Sequence, residues 1–247
     1  MKNGRPRSVP DAMTTVERRP RTLPLSHRRA FVQRHTRLRP VDGVADVRLY
    51  LADEVEPLWR AVEEATATDG APIPFWAFAW AGGLALARYI TERPDEVRAK
   101  RVLDLGTGSG LVGIAAALTG AEHVTAADID PFAEAAVALN ARANGVRLAF
   151  TRRNLLDEEV PVDVDVVLAA DTWYEGPLAE AVLPWLQAAA DRGTRVLIAD
   201  PGRRYLPEDA HLREIRRYLV RTTTTLEDRP EVASRVFVLD AAARRAT

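Results

Sequence analysis

Apolar residues change their period along this chain, and the change divides it. The first twenty-one residues are rich in Pro and Arg and show no period, which predicts a disordered arm. A short helical pattern follows around Arg29–Leu38, and Val47–Leu51 alternates as a strand would. Val55, Leu58, Trp59 and Val62 recur at helical spacing within Glu54–Thr66, and Thr68–Pro74 is a Gly/Pro loop. Gly83–Thr91 reads as a further helix that stops before Pro94. From Arg101 the pattern becomes regular. Apolar runs at Arg101–Leu105, His123–Asp128, Val146–Phe150, Val164–Ala170 and Arg195–Asp200 predict strands. Helical stretches at Leu111–Leu118, Pro131–Asn144 and Leu178–Ala190 separate most of them, with another expected at Pro207–Leu219. Strands at Val220–Glu227 and Arg235–Leu239 close the chain around a turn at Asp228–Pro230.

Strands alternating with helices of this length imply an α/β fold: a mostly parallel sheet covered on both faces. The last two strands, adjacent in sequence, imply an antiparallel hairpin at one edge. We therefore expect residues 1–22 as a basic arm and 23–247 as one domain. Within that domain, 23–95 form an N-terminal helical and strand extension over a core at 96–247.

Composition narrows the chemistry. Of 247 residues, 47% are hydrophobic and 28% charged, enough apolar material for a packed core. The chain has no Cys and four His, none paired at ligand spacing, so no metal site is expected. No apolar stretch is long enough to span a bilayer. The formal net charge of −1 hides an uneven distribution. Met1–Arg39 carries eleven Lys and Arg against Asp11 and Glu17, so the remainder is acidic. Such an arm is a solvated tail, a nucleic-acid or membrane contact, or an organelle leader. Without interleaved aromatics it does not suggest nucleic-acid binding.

The densest signal is Val102-Leu103-Asp104-Leu105-Gly106-Thr107-Gly108-Ser109-Gly110, an apolar strand running into three alternating glycines and a helix. Glycine lets the backbone turn sharply and approach a ligand, and the helix start offers free N–H groups. Gly108 to Gly113 also fits the G-x-G-x-x-G of dinucleotide folds, although there the first glycine directly follows the strand. Asp104 before the glycines would repel a pyrophosphate and could pair with a ligand's ammonium group. Asp128, about twenty residues on, is placed to accept from a ribose diol, with Ile129 against an adenine face. Asp130 before Pro131 reads as a helix N-cap.

VLDLGTGSG, Ala127-Asp128-Ile129-Asp130-Pro131, Asn154-Leu155 and Ala169-Ala170-Asp171 resemble the class I S-adenosylmethionine-dependent methyltransferases. Phe31–Thr36, Arg48–Ala52, Pro74–Gly83 with its Trp76 and Trp80, Asp171-Thr172-Trp173-Tyr174-Glu175 and Asp200–Pro207 are similar to one subgroup. That subgroup contains the electron-transfer-flavoprotein β-subunit lysine methyltransferases and bacterial relatives. The resemblance covers roughly Phe31 to Leu239 and implies a seven-stranded Rossmann-like sheet, mostly parallel with an antiparallel edge strand.

The resemblance further implies that Asp104, Gly106, Thr107, Gly108 and Gly110 hold the methionine part of S-adenosylmethionine. Asp128 and Ile129 would meet ribose and adenine, and Asn154, where relatives often carry Asp, would reach the adenine with the Leu155 amide. Trp80 would face the sulfonium, and Asp171 would stand beside both cofactor and acceptor. Asp171, Tyr174 and Glu175 would be the catalytic set, with Trp173 and Tyr174 desolvating the acceptor amine. Plain packing is the alternative for Trp76, Trp80, Trp173 and Tyr174, and a solvated helix start for Glu175. Arg203, in the turn after Asp200, would shape the mouth of the site or simply complete a turn. The implied acceptor is a lysine of a protein, of the electron-transfer-flavoprotein or ribosomal-stalk class, methylated in the cytoplasm. A small amine or pyridine acceptor, or cofactor binding without turnover, are the alternatives.

Overall fold

The computed structural model describes residues 22–208, 211–222 and 230–242. A seven-stranded sheet runs through its centre in the order β5-β4-β3-β6-β7-β9-β8. The strands are β3 (Arg101–Leu105), β4 (His123–Ala127), β5 (Ala149–Thr151), β6 (Val166–Ala170), β7 (Arg195–Asp200), β8 (Leu212–Arg221) and β9 (Glu231–Leu239). The first five are parallel, and β9 runs antiparallel between β7 and β8. The expected hairpin therefore lies at one edge, with its reversed strand one place inward.

Successive residues of each strand feed opposite layers, as the period of two requires. Val102, Val166, Leu168, Leu197 and Ala199 pack with helices α3 (Ala81–Glu92) and α4 (Leu111–Leu118). Leu103, Leu105, Val167, Ala169, Val196 and Ile198 pack with α6 (Gly176–Asp191) on the other side. A third cluster joins α1 (Leu25–His35), α2 (Val55–Thr66) and Trp76 to α5 (Pro131–Ala143). Asp130 caps α5, its Oδ1 accepting from the Phe132 N–H at 2.7 Å ahead of Pro131 in the first turn.

Two expectations are corrected. The helix anticipated over Arg29–Leu38 is α1, which begins at Leu25 and ends at His35. Arg37–Pro40 instead forms β1, pairing antiparallel with β2 (Arg48–Leu51) in a two-stranded sheet. The helix anticipated over Pro207–Leu219 is largely strand β8. A register shift between Glu214 and Arg216 turns Leu212, Ile215 and Tyr218 toward the protein, so a bulged edge strand imitates helical spacing. Its outward positions carry Arg213, Arg216 and Arg217, charges that suit an unpaired edge. The arm at 1–21 and most of the expected turn around 228 lie outside the described residues. No helix among the described residues is long and apolar enough to cross a membrane.

Candidate active site

The chain leaves β3 toward β4 on one side and β6 lies on the other, so the order of the sheet reverses there. Ligands bind open α/β sheets outside the carboxyl ends of strands at such a reversal. A cleft of about 880 Å³ opens at that place, within the range of small-molecule sites. It is lined by the loop after β3, the residues after β4 and β6, and Val62 and Thr66 of α2.

Gly106, Gly108 and Gly110 all have positive φ, at 67°, 51° and 83°. A side chain on Gly110 would also meet Val137 Cγ2 at 3.1 Å, so conformation and space both demand glycine there. Asp104 is buried beneath this loop. Its Oδ2 accepts from Thr107 Oγ1 and from the Gly113 N–H at 2.9 Å. Burial raises its carboxyl to about 6, only partly offset by those two donors. Asp128 Oδ2 accepts from the Gly108 N–H at 2.8 Å, and its Oδ1 from the Asp130 N–H at 2.9 Å. It ties the glycine loop to the end of β4, and burial raises its carboxyl as well. Beside it Ile129 is 65% exposed, an apolar side chain presented to the cleft. Asn154 is exposed and donates from Nδ2 to Asp157 Oδ2 at 2.8 Å, while Leu155 is buried behind it.

Asp171 is the residue whose surroundings the sequence revealed least. Its φ of 56° is left-handed, which Asp tolerates better than most residues. Its Oδ1 accepts from the Gly82 N–H at 3.0 Å and its Oδ2 from the Gly83 N–H at 2.7 Å. The carboxylate thus caps α3 from 88 and 89 residues away, where helix N–H groups are otherwise unsatisfied. Arg203 Nη2 adds a third donor at 3.1 Å. Burial raises the Asp171 carboxyl, opposed chiefly by the Arg203 charge. Gly82 has no room for a side chain: a Cβ would lie 2.5 Å from the Ala199 carbonyl oxygen and 2.6 Å from Asp171 Oδ2.

Aromatic rings form the wall beside Asp171. Trp80 donates from Nε1 to the Phe75 carbonyl at 3.0 Å, and its ring lies 5.5 Å from that of Phe75. Phe75 in turn lies 4.9 Å from Tyr174. The cation facing Trp80 is Arg203, with Cζ 5.7 Å from the ring centre. Tyr174 lines the cleft with its hydroxyl pushed up to about 12, mainly by burial and then by Glu175 and Asp128. Glu175 is exposed at the rim and precedes α6 without capping it through its side chain. Trp173, expected with Tyr174 at the acceptor, is fully buried on the α6 side of the sheet: it is core. Trp76 is also core, stacked on Phe132 at 5.7 Å.

Sequence reasoning missed the fastenings of the cleft. Buried Asn140 of α5 donates to the Ser109 carbonyl at 2.8 Å and accepts from the Tyr50 N–H at 2.7 Å, joining the β1–β2 hairpin to the glycine loop. Asn144, one turn on, accepts from the Arg48 N–H and donates to its carbonyl. Arg28 of α1 donates to the Pro131 carbonyl and pairs with Glu134 at 2.8 Å. The i, i+4 spacing of the two asparagines on an otherwise alanine-rich helix is the signal that could have found them.

The family model for ribosomal protein L11 methyltransferase (PrmA) matches residues 86–171. The electron transfer flavoprotein beta subunit lysine methyltransferase of Xenopus laevis is 34% identical over 226 residues, covering 90% of this chain and 89% of that protein. The Homo sapiens protein of the same name is 38% identical over 169 residues, 66% of this chain and 64% of its own length. A crystal structure from Pyrococcus horikoshii, assigned as an RNA methyltransferase, superposes with a TM-score of 0.51 at 15% identity, over 65% of this chain and 83% of that one. That last likeness establishes the fold. The chain belongs to the electron transfer flavoprotein beta subunit lysine methyltransferase family and is a class I S-adenosylmethionine-dependent methyltransferase.

Proposed function

We propose that the enzyme methylates lysine side chains of a protein, with the β-subunit of an electron transfer flavoprotein as the first candidate. The observation that carries the reading is the meeting, in one cleft, of a glycine loop, two strand-end carboxylates and an aromatic wall. The residues suit the cofactor. The side chains bonded to the loop itself are the carboxylates of Asp104 and Asp128, which favours a cation and a diol over a pyrophosphate there. Gly106, Gly108 and Gly110 leave bare backbone for the amino-acid end, with Thr107 and Asp104 bracing the loop from below. Asp128 would accept from the ribose hydroxyls, Ile129 would cover one adenine face, and Asn154 with the Leu155 amide would reach its edge. S-adenosylmethionine supplies an electrophilic methyl group.

The protein's contribution is then to bring a neutral amine into line with that group and exclude water. Phe75, Trp80 and Tyr174 form the apolar wall of the acceptor side, and Tyr174, protonated at neutral pH, can donate or accept one hydrogen bond. Asp171 acts through α3: it fixes the wall that carries Trp80. Glu175, at the exposed rim, meets the substrate protein. Residues 23–95 serve as a roof over the cofactor, and the compartment is the cytoplasm. Names of relatives support a lysine acceptor over a small amine. Incubation with isotopically labelled cofactor and purified electron transfer flavoprotein should place label on a lysine, mapped by mass spectrometry. Label found only on small amines from a metabolite pool would refute the reading.

A further inference from the structure

Aromatic side chains continue from the inner wall of the cleft to the outer surface. Between ring centres, Trp80 lies 5.5 Å from Phe75 and Phe75 lies 4.9 Å from Tyr174. Two residues beyond Tyr174, α6 opens with Gly176, and the ring of Tyr205 rests against that glycine. A Cβ on Gly176 would meet Tyr205 Cε1 at 3.3 Å, so the missing side chain is what gives the ring its seat. Arg204 Cζ lies 5.7 Å from the centre of the same ring. The turn that carries Tyr205 is fastened at both ends. Asp200 Oδ1 accepts from the Gly202 and Arg203 N–H groups at 2.7 and 2.6 Å, and the Leu206 N–H donates to the Arg203 carbonyl at 3.0 Å. Tyr205 is thus held in place, yet it is 40% exposed and stands outside the lining of the cleft. Ile73 and Tyr174, which line the cleft beside Phe75, are each 38% exposed.

A single exposed apolar side chain is ordinary on a protein surface, but a row of them leading out of a cleft marks a contact surface. Tyrosine suits such a contact, because its ring buries a large area and has few rotatable bonds to fix. We propose that Tyr205 is a docking residue for the protein substrate. It receives an apolar side chain that flanks the target lysine, while the lysine itself passes Ile73 and Tyr174 into the cleft. The inference rests on the lysine-methylation reading and deepens it by naming what the enzyme reads beside the lysine. The occupant follows from continuity. The row begins at the acceptor wall and ends on the outer surface, so a folded protein that delivers an amine to that wall covers Tyr205 as it does so. A small amine would fill the cleft and leave Tyr205 bare. Since the ring stands outside the cleft, it touches neither cofactor nor reacting atoms, and its contribution is to binding of the substrate protein.

The test is steady-state methylation of unmethylated recombinant electron transfer flavoprotein by the full chain with S-adenosylmethionine. Tyr205→Ala should raise KM for the flavoprotein about tenfold, as truncation of an aromatic anchor does. Its kcat, and its affinity for S-adenosylhomocysteine by calorimetry, should stay at the wild-type values, the pattern of lost uniform binding. Tyr205→Phe should behave as wild type, because the ring and not the hydroxyl makes the contact. Once the methylated lysine is mapped, changing the apolar residue beside it to Ser should raise KM for the wild-type enzyme and add nothing further in Tyr205→Ala, the mark of a shared contact. An unmoved KM in Tyr205→Ala overturns the inference, as does a fall in kcat or cofactor affinity in its place. Additive effects of the two substitutions, or a mapped lysine with no apolar neighbour, overturn it as well. If circular dichroism shows that Tyr205→Ala does not fold, Tyr205→Gln, which keeps a stem over Gly176 without the ring, decides on the same readout. A wild-type enzyme that methylates no protein lysine refutes the parent reading and this inference with it, whereas normal turnover with KM unmoved in Tyr205→Ala refutes this inference alone.

Discussion

Asp128 and Asp171 stand at equivalent places, each the first residue beyond a parallel strand, yet they are held in different ways. Both are half-buried, and desolvation raises both carboxyl groups. Asp128 accepts from Gly108 and Asp130, partners within its own βαβ unit. Asp171 accepts from Gly82 and Gly83 at the start of α3 and from Arg203 after β7, two distant parts of the chain. Similar letters at similar places thus do different work: one closes a local loop, and the other ties the aromatic wall to the sheet.

The comparison is sharpest in its largest effect. Asp171→Ala would leave the Arg203 guanidinium and two helix N–H groups without their carboxylate, and should cost about 3–5 kcal/mol of stability. Denaturant unfolding should register that loss together with loss of turnover; a variant as stable as wild type would separate Asp171 from α3. Asp128→Ala removes only two local bonds and should cost about 1–3 kcal/mol. Its main effect should be cofactor affinity, weakened by about tenfold or more, and equal stability losses in the two variants would dissolve the distinction. Gly82→Ala pushes a methyl group against Ala199 and Asp171 and should cost about 1–3 kcal/mol, with turnover falling more than cofactor affinity in parallel assays. Asn140→Ala, which unfastens the hairpin from the glycine loop, should lower stability by about 1–3 kcal/mol and speed cofactor release in stopped-flow exchange.

Smaller effects probe the loop itself. Asp104 titrates near 6 in the folded state against an ordinary value of 3.8. Its protonated form is therefore favoured by folding, and this contribution to stability is complete below 3.8 and lost as pH rises through 6. Urea unfolding should accordingly show Asp104→Asn gaining on wild type between pH 5 and pH 7; a pH-independent difference would remove Asp104 from the account. Ile129→Ala should weaken cofactor binding several-fold while changing stability by less than about 0.5 kcal/mol, as expected for an exposed side chain.

What the sequence could show follows the same division. The strand–glycine–helix unit, the N-cap at Asp130 and the spacing to Asp128 are local patterns, and they read directly. The strand-to-helix alternation from Arg101 to Asp200 is equally local and yields the parallel sheet. Asp171 was legible as a strand end but not as a clamp, because its donors lie 32, 88 and 89 residues away. Trp173 and Tyr174 are adjacent letters, yet tertiary packing sends one into the core and the other to the cleft. At β8 the bulge gave a strand the spacing of a helix, so periodicity pointed the wrong way. Arg28 and Asn140 were invisible for a related reason: a polar residue on a helix declares its partner only once the chain has folded around it.

The account rests on a cleft built for a sulfonium-bearing nucleoside, and calorimetric titration of the purified protein tests that most directly. S-adenosylhomocysteine should bind at one site per chain, with affinity falling about tenfold or more in Asp128→Ala. Absence of heat from that compound, together with saturable binding of a nicotinamide dinucleotide, would contradict it.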